Sequence, residues 1–164
     1  MTKKNAIFNI LIIFSIFFLD RFTKFYILNI AETQGVVDIK VNSFINIILV
    51  WNSGIGFGLF QLDQAFAYNL ITILILFINL IIVYLLFYAD DLRKILFSMI
   101  LGGSLGNFYD RIFFEAVPDF IDFHVENFHW FIFNVSDIFI SLGVIFMIIL
   151  EVISNNKEHI NENN

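Results

Sequence analysis

The chain has 164 residues, of which 59% are hydrophobic and 15% are charged, with a formal net charge of −6 and a mean hydropathy of +0.84. This composition excludes a soluble globular domain and, because no basic patch with interleaved aromatic residues occurs, a nucleic-acid-binding protein. The absence of cysteine excludes disulfides, thiol catalysis and thiolate metal sites. We therefore predict a membrane protein with a single domain.

Four hydrophobic stretches predict transmembrane helices, because each approaches the roughly 20 residues that a helix needs to cross the bilayer core. A segment inside lipid must be helical, since lipid offers backbone groups no hydrogen-bond partner. The expected fold class is an all-α membrane protein, with one domain over residues 1–154 and a cytoplasmic tail over residues 155–164; residues 151–164 are expected to form a short disordered end. The predicted helices cover about residues 6–28, 65–88, 95–114 and 131–153.

The first stretch is interpreted as a retained helix rather than a cleaved signal peptide. No small-x-small cleavage site follows it, and Asp20 and Arg21 occupy the place where one would lie. The basic residues favour cytoplasmic N- and C-termini if Arg21, Lys24 and Arg111 belong to a functional site, which leaves Lys40 as the one ordinary basic residue outside. The basic residues on the expected cytoplasmic side are Lys3, Lys4, Arg93, Lys94 and Lys157.

Polar residues interrupt the hydrophobic stretches at one membrane face. Because consecutive spans alternate in direction, the ends of the first and third spans and the start of the fourth meet the same interface. A charged side chain near hydrocarbon is costly unless it is paired or hydrated, so this cluster predicts a functional site. The residues concerned are Asp20, Arg21, Lys24, Asn107, Asp110, Arg111, Asn134 and Asp137.

The connection between the first two spans predicts a small extracytoplasmic sheet on the membrane surface, at about residues 36–62. Polar and apolar residues alternate from Val37 to Asn42, and three glycines occur from Gly54 to Gly58, which indicates strands and tight turns. The alternative is an ordinary surface loop with an interfacial tryptophan.

The third connection, at about residues 112–130, returns the chain over the same face. Pro118 removes a backbone donor and predicts a fixed bend at Asp119. His124 and His129 are five residues apart, which is not the one-face spacing of a zinc helix, so both are interpreted as loop or interfacial residues. A metal site would have to rest on carboxylates alone, and we predict neither a metal nor a cofactor.

Paired carboxylates are the best candidates for chemistry. Asp137 lies about one turn into the fourth span with Asn134 as its N-cap, and alone it would only complement the helix dipole. With a second carboxylate a few Å away, the pair would share one proton, so one member could deprotonate water while the other protonates a carbonyl. Such a pair hydrolyses a peptide bond without a covalent intermediate. Spacing alone leaves Asp110 and Asp119 equally good as the partner of Asp137.

Asp20 and Lys24 have the i, i+4 spacing that is typical of a structural ion pair at a helix end. The adjacent Arg21 leaves an anion-binding or catalytic role open. Asp110 and Arg111 permit the same two interpretations, because charges inside a membrane persist either by pairing or by serving a site.

Five blocks of the chain, in order, resemble lipoprotein signal peptidase (signal peptidase II), a family of bacterial inner-membrane aspartyl endopeptidases. The patterns Gly-Asn-x-x-Asp-Arg and Phe-Asn-x-x-Asp are the most specific, and together the blocks cover nearly the whole chain. They lie at residues 20–24, 52–58, 102–111, 117–122 and 133–137.

The resemblance implies four transmembrane helices with both termini cytoplasmic, a surface sheet outside, and a catalytic pair near the outer leaflet that falls on Asp119 and Asp137. The implied partners are membrane lipids and prolipoproteins, which are cut before a diacylglyceryl-modified cysteine. We expect a monomer that is inhibited by the cyclic peptide globomycin. The substrate-binding and supporting positions are Asp20, Lys24, Asn52, Gly54, Asn107, Asp110, Arg111 and Asn134.

Three positions depart from the usual family pattern, where Arg21 replaces Gln, Pro118 replaces Val and Ser136 replaces Ala. None of them removes a proposed catalytic group. The rival functions are an ion- or proton-coupled carrier and a non-catalytic scaffold whose charges only pair helices. Carriers have polar residues near the bilayer midplane, whereas here Asn79 is the main exception to a cluster at one surface.

Overall fold

The computed structural model describes residues 3–54, 64–126 and 128–162, which form four long helices and four strands. The order along the chain is α1 (Lys3–Gln34), β1 (Asp38–Lys40), β2 (Ile45–Asn52), α2 (Gln64–Tyr88), α3 (Asp91–Phe114), β3 (Val117–Val125), β4 (Phe128–Phe133) and α4 (Val135–Glu162). The prediction of a mostly helical chain with a small sheet is confirmed.

Three of the helices are long and apolar enough to cross a membrane. Within the described residues these spans are Asn5–Gln34, Phe66–Tyr88 and Val135–Ser154. Most of their side chains point away from the bundle, and large apolar side chains such as Phe18 and Phe77 are exposed. Exposed apolar surface on this scale requires lipid as the solvent. The chain is therefore an integral membrane protein.

Helix α3 occupies the centre of the bundle, where it packs against α1, α2 and α4. Its glycines allow this close approach. A Cβ atom added at Gly102 would lie 2.9 Å from the carbonyl oxygen of Ile13 in α1, and one at Gly103 would lie 2.6 Å from that of Ser136 in α4. Small residues at such contacts are how membrane helices gain close van der Waals packing.

The four strands form one antiparallel sheet in the order β1-β2-β3-β4. It packs on the end of α1 through a buried apolar cluster of Ile27, Ile30, Val37 and Phe120. In the β2–β3 pair, Val50 lies opposite Asp119 and Asn52 lies opposite Val117. This register brings the end of β2 and the start of β3 to the same place above the helices.

The sheet is larger than the sequence predicted. Strands β1 and β2 fall within the predicted region at residues 36–62, of which residues 55–62 lie outside the described residues. The predicted bend at Pro118 and Asp119 is wrong, because both residues belong to β3. Proline is tolerated there because β4 pairs with β3 only from Ile121 onward, so β3 has a single neighbouring strand at Pro118.

Several helix ends also differ from the prediction, among them the start of α3, which lies at Asp91 rather than at residue 95. Helix α1 continues to Gln34. Gly35 follows it and stops the helix with a φ of +79°, which glycine adopts easily. Helix α4 begins at Val135 rather than at residue 131, because strand β4 occupies the chain up to Phe133. The predicted disordered tail is also wrong over most of its length, since α4 extends to Glu162.

The contact between α3 and α4 yields a test of the packing. Gly103→Ala should lower the stability of the protein by about 1–3 kcal/mol, because the new methyl group meets the backbone of α4, which cannot move aside cheaply. Gly54→Ala is the matched control, since a Cβ atom there meets no atom of the described residues within 4 Å. The measurement is the thermal unfolding midpoint in detergent, and equal midpoints for the two variants would contradict this packing.

Candidate active site

All ten predicted site residues lie at one end of the bundle, where the sheet meets the helices, and they form one continuous hydrogen-bonded network. Helix α1 contributes two of them, α3 three, the end of β2 and the residues after it two, β3 one, and the start of α4 the remaining two. In order of contact they are Asp20, Lys24, Asp110, Asn107, Asp137, Asn134, Asp119, Asn52, Gly54 and Arg111.

Asp119 is held by two amide groups. Its Oδ2 accepts a hydrogen bond from Asn52 Nδ2 at 3.0 Å, and its Oδ1 accepts one from Asn134 Nδ2 at 2.6 Å. The residue is only 5% exposed. Strand pairing between β2 and β3 explains why Asn52 reaches it, since the two residues stand near one another in the register.

Asp137 is held in the first turn of α4 by reciprocal bonds with Asn134. The backbone N–H of Asn134 donates to Asp137 Oδ2 at 3.0 Å, and the backbone N–H of Asp137 donates to Asn134 Oδ1 at 3.1 Å. This is the geometry of a capping box, here with asparagine and aspartate. Asn107 Nδ2 donates to the other oxygen, Oδ1, at 2.8 Å. Asn134 therefore links the two carboxylates, Asp119 and Asp137.

Burial raises the pKa of Asp119 to about 6, from an ordinary value of 3.8. The hydrogen bonds from Asn52 and Asn134 oppose this rise, whereas the negative charge of Asp137 adds to it. The two carboxylates are thus close enough for one to disfavour ionisation of the other. A pair in this state holds a proton at a higher pH than an isolated aspartate would.

A buried ion cluster contacts Asn107, the residue that donates to Asp137. Lys24 Nζ, on a side chain that is 1% exposed, lies 2.6 Å from Asp110 and 3.0 Å from Asp20, and donates to Asn107 Oδ1 at 2.8 Å. Arg21 donates to Asp110 at 2.5 and 2.7 Å and to Asp20 at 2.8 Å. Two cations thus face two carboxylates, which is the condition under which buried charges persist.

Arg111 fixes the chain that follows β2. Its guanidinium donates to the carbonyl oxygen of Gly54 at 3.0 Å, while the Gly54 N–H donates to Asn52 Oδ1 at 3.1 Å. Tyr68 in α2 donates to the carbonyl oxygen of Arg111, and its ring lies 5.7 Å from the guanidinium. The glycines predicted to form tight turns after Gly54 lie outside the described residues.

Two contributors to this network, Tyr68 and the backbone of Ser136, are not evident from the sequence. Tyr68 carries no motif, and its place near the polar end of α2 is the only signal. Ser136 was noted as a departure from the family pattern, but its backbone N–H is what matters, because it donates to Asp20 at 3.1 Å and ties α1 to α4.

His124 and His129 lie together on two paired strands, whereas the sequence predicted loop or interfacial residues. His124 on β3 and His129 on β4 are partners in the strand register, and Asp122 lies beside them. A spacing of five residues separates two side chains on a helix, whereas the β3–β4 hairpin places these two side by side. A metal ligand set on this chain would therefore not have to rest on carboxylates alone.

Comparison with protein families and curated proteins gives consistent matches along the chain. The family model described as signal peptidase (SPase) II matches residues 12–153. The chain is 50% identical over 155 residues to a lipoprotein signal peptidase of Pelagibacter ubique (strain HTCC1062), covering 94% of this chain and 93% of that protein. It is 44% identical over 152 residues to a lipoprotein signal peptidase of Wigglesworthia glossinidia brevipalpis, covering 90% and 92%.

Solved structures give the same picture. Two chains, each described as a bacterial membrane enzyme determined by the in meso method, superpose with TM-scores of 0.70 and 0.69. They are 28% and 32% identical to this chain, and the matches cover 91% and 87% of it and 90% of each structure. The chain belongs to the signal peptidase II family.

Proposed function

We propose that this protein is a membrane aspartyl endopeptidase that removes the signal peptide from prolipoproteins by cleaving before the diacylglyceryl-modified cysteine, with Asp119 and Asp137 as its catalytic residues. The observation that carries the assignment is the position of Asn134, which hydrogen-bonds to both carboxylates. A pair held in this way can share one proton and act on one water molecule.

The reaction needs one ionised and one protonated carboxyl group. The ionised member takes a proton from water as the water oxygen attacks the scissile carbonyl carbon, and the neutral member donates its proton to the carbonyl oxygen. When the tetrahedral intermediate collapses, the C–N bond breaks, the protonated carboxyl group donates its proton to the amine of the departing cysteine, and the ionised carboxylate takes one proton from a hydroxyl of the intermediate. No covalent bond to the enzyme forms, and the pair ends with the single proton that it held at the start.

The contacts of Asp110 favour Asp119 as the partner of Asp137. Both oxygens of Asp110 are taken by Lys24 and Arg21, so its role is to hold α1 against α3. Asp119 contacts two neutral amides and no cation in these bonds, so it can take up and release a proton more easily than Asp110. In this proposal the Asp20–Lys24 pair is structural, and it fixes Asn107, which in turn orients Asp137.

The proposed topology has α3 as a fourth transmembrane helix that is shielded from lipid by the other three. Its charged end carries Asp110 and Arg111, which are both buried in the polar network rather than turned toward lipid. Both termini lie in the cytoplasm, and the sheet and the carboxylate pair lie at the outer leaflet of the bacterial inner membrane. The acyl chains of the substrate then stay in the bilayer while its scissile bond reaches the sheet.

The functional test is a cleavage assay with purified monomeric protein in detergent and a lipidated prolipoprotein, with and without globomycin. Cleavage before the modified cysteine that globomycin blocks would support the peptidase. An ion- or proton-coupled carrier or a scaffold would leave the substrate intact under both conditions.

Asp119→Asn and Asp137→Asn should each lower the cleavage rate by about 10²–10⁴-fold or more, because each removes one half of the acid–base pair. Membrane insertion should be unchanged. Asp38→Asn is the matched control, since Asp38 is exposed on β1 of the same sheet. Full activity in either site variant would refute the assignment.

The stability of the protein should depend on the charge of Asp119. Its pKa of about 6 in the folded protein exceeds 3.8, so the folded state binds more protons than the unfolded state between these values, and stability contributed at this site falls as pH rises from about 4 to about 6. Asp119→Asn removes this dependence. We subtract the unfolding midpoint of the wild type from that of the variant and expect this difference to increase from pH 5 to pH 7.5. A difference that stays constant or decreases would contradict the burial of this carboxylate.

Lys24→Met should destabilise the protein by about 3–5 kcal/mol, because it leaves two buried carboxylates facing Arg21 alone. Cleavage should also slow, since Asn107 loses the group that holds its Oδ1. Lys40→Met on the exposed strand β1 is the control. Thermal unfolding in detergent measures the first effect and the prolipoprotein assay the second; a Lys24 variant as stable as the control would show that the ion cluster is not needed.

A further inference from the structure

The hairpin of β3 and β4 carries a second cluster of chemically active side chains. Asp122 and His124 are two residues apart on β3, so they share one face of the strand. His129 lies opposite His124 in the strand register, and the two rings stack with their centres 5.1 Å apart. One ligand atom from each of the three residues lies within 4.8 Å of the others.

Two buried polar atoms in this cluster have no hydrogen-bond partner among the described residues. His124 is 7% exposed, and its Nδ1 has no hydrogen-bond partner among the described residues, although it lies 3.5 Å from Asp122 Oδ2. Asn46 stands directly opposite Asp122 in the β2–β3 register, and its Oδ1 is likewise buried without a partner in the described part of the chain. Both flank a carboxylate that is 1% exposed. Buried polar atoms normally have hydrogen-bond partners. A bound cation would supply the missing partner for these atoms.

We propose that Asp122, His124 and His129 form a binding site for a divalent transition-metal ion of the Zn²⁺ type. Two imidazoles and one carboxylate are a ligand set that suits Zn²⁺, and they leave a fourth position for water or for the amide oxygen of Asn46. Bonds of 2.0–2.1 Å in tetrahedral geometry place ligand atoms about 3.3 Å apart. The separations here, 3.5 Å from Asp122 to His124 and 2.8 Å from Asp122 to His129, lie on either side of that value.

A simple aspartate–histidine pair accounts for only part of the cluster. His129 Nδ1 lies 2.9 and 2.8 Å from the two oxygens of Asp122, which satisfies that histidine without a metal. It leaves His124 Nδ1 without a hydrogen-bond partner among the described residues. A cation bound by all three side chains satisfies every one of these atoms at once.

The site is separate from the carboxylate pair proposed to be catalytic. Among the hydrogen bonds and ion pairs of the described residues, Asp122 contacts His124 and His129, whereas Asp119 contacts Asn52 and Asn134. The ion would cross-link β3, which carries Asp119, to β4, which leads into Asn134. Its expected effect is to stiffen the hairpin that positions the pair, and the proposal stands whether or not the peptidase assignment does.

The test is direct metal binding by the purified full chain in detergent. The protein carries an affinity tag without histidine and is stripped of metal with a chelator, then titrated with ZnCl₂ by calorimetry and with CoCl₂ by visible absorption. We expect one ion per chain, no displacement by excess Mg²⁺, and an unfolding midpoint that rises by several degrees with Zn²⁺. Tetrahedral Co²⁺ absorbs visible light much more strongly than octahedral Co²⁺, so intense bands would identify tetrahedral coordination.

Variants separate this site from adventitious binding. His129→Ala and His124→Ala should each weaken Zn²⁺ binding by at least about 10-fold and abolish the rise in unfolding midpoint. The side chain of His129 is 56% exposed, so its removal should leave the metal-free fold intact, as the midpoint without metal will show. His159→Ala, in the last turns of α4, is the matched control. Absence of saturable binding in the wild type, or equal binding in the His129 variant, would overturn the proposal.

Discussion

The bonds made by Asn134 are the interaction on which the site depends. This residue ends the sheet and caps α4, so its backbone and side chain are fixed by two different elements at once. Through them it contacts Asp137 and Asp119, which are contributed by a helix and a strand. The side-chain amide of Asn134 donates to Asp119 while its backbone N–H donates to the carboxylate of Asp137, so a single residue ties the two carboxylates together across the junction of the sheet and the bundle.

That arrangement holds only if the helices beneath it cannot move apart. Lys24 binds Asp110 and Asn107, so it joins α1 to α3 and reaches Asp137 through the asparagine. The glycines of α3 allow the close helix contacts that exclude water from these charges. Ionic pairing and tight packing are therefore coupled. If the helices moved apart, water would hydrate these charges and weaken the attraction between them.

The sequence predicted much of this site and less of the sheet. Charges such as Asp20 and Asp110 stand out because lipid makes unpaired charge costly, and the alternation of span direction assigned them to one face. Spacing could not choose between Asp110 and Asp119, because that choice depends on which cations fill the space around each carboxylate. Strands β3 and β4 went unrecognised for another reason: Pro118 is read as a bend locally, and only pairing with β2 makes it a strand residue.

The sheet allows the two carboxylates to be buried and still be reached by water and substrate. A shared proton requires carboxylates removed from bulk water, yet hydrolysis requires one water molecule and a peptide bond to reach them. Here α4 supplies Asp137 and β3 supplies Asp119, so the pair proposed to be catalytic lies where the helices meet the sheet. Burial of Asp119, which raises its pKa to about 6, is the measurable consequence of that position.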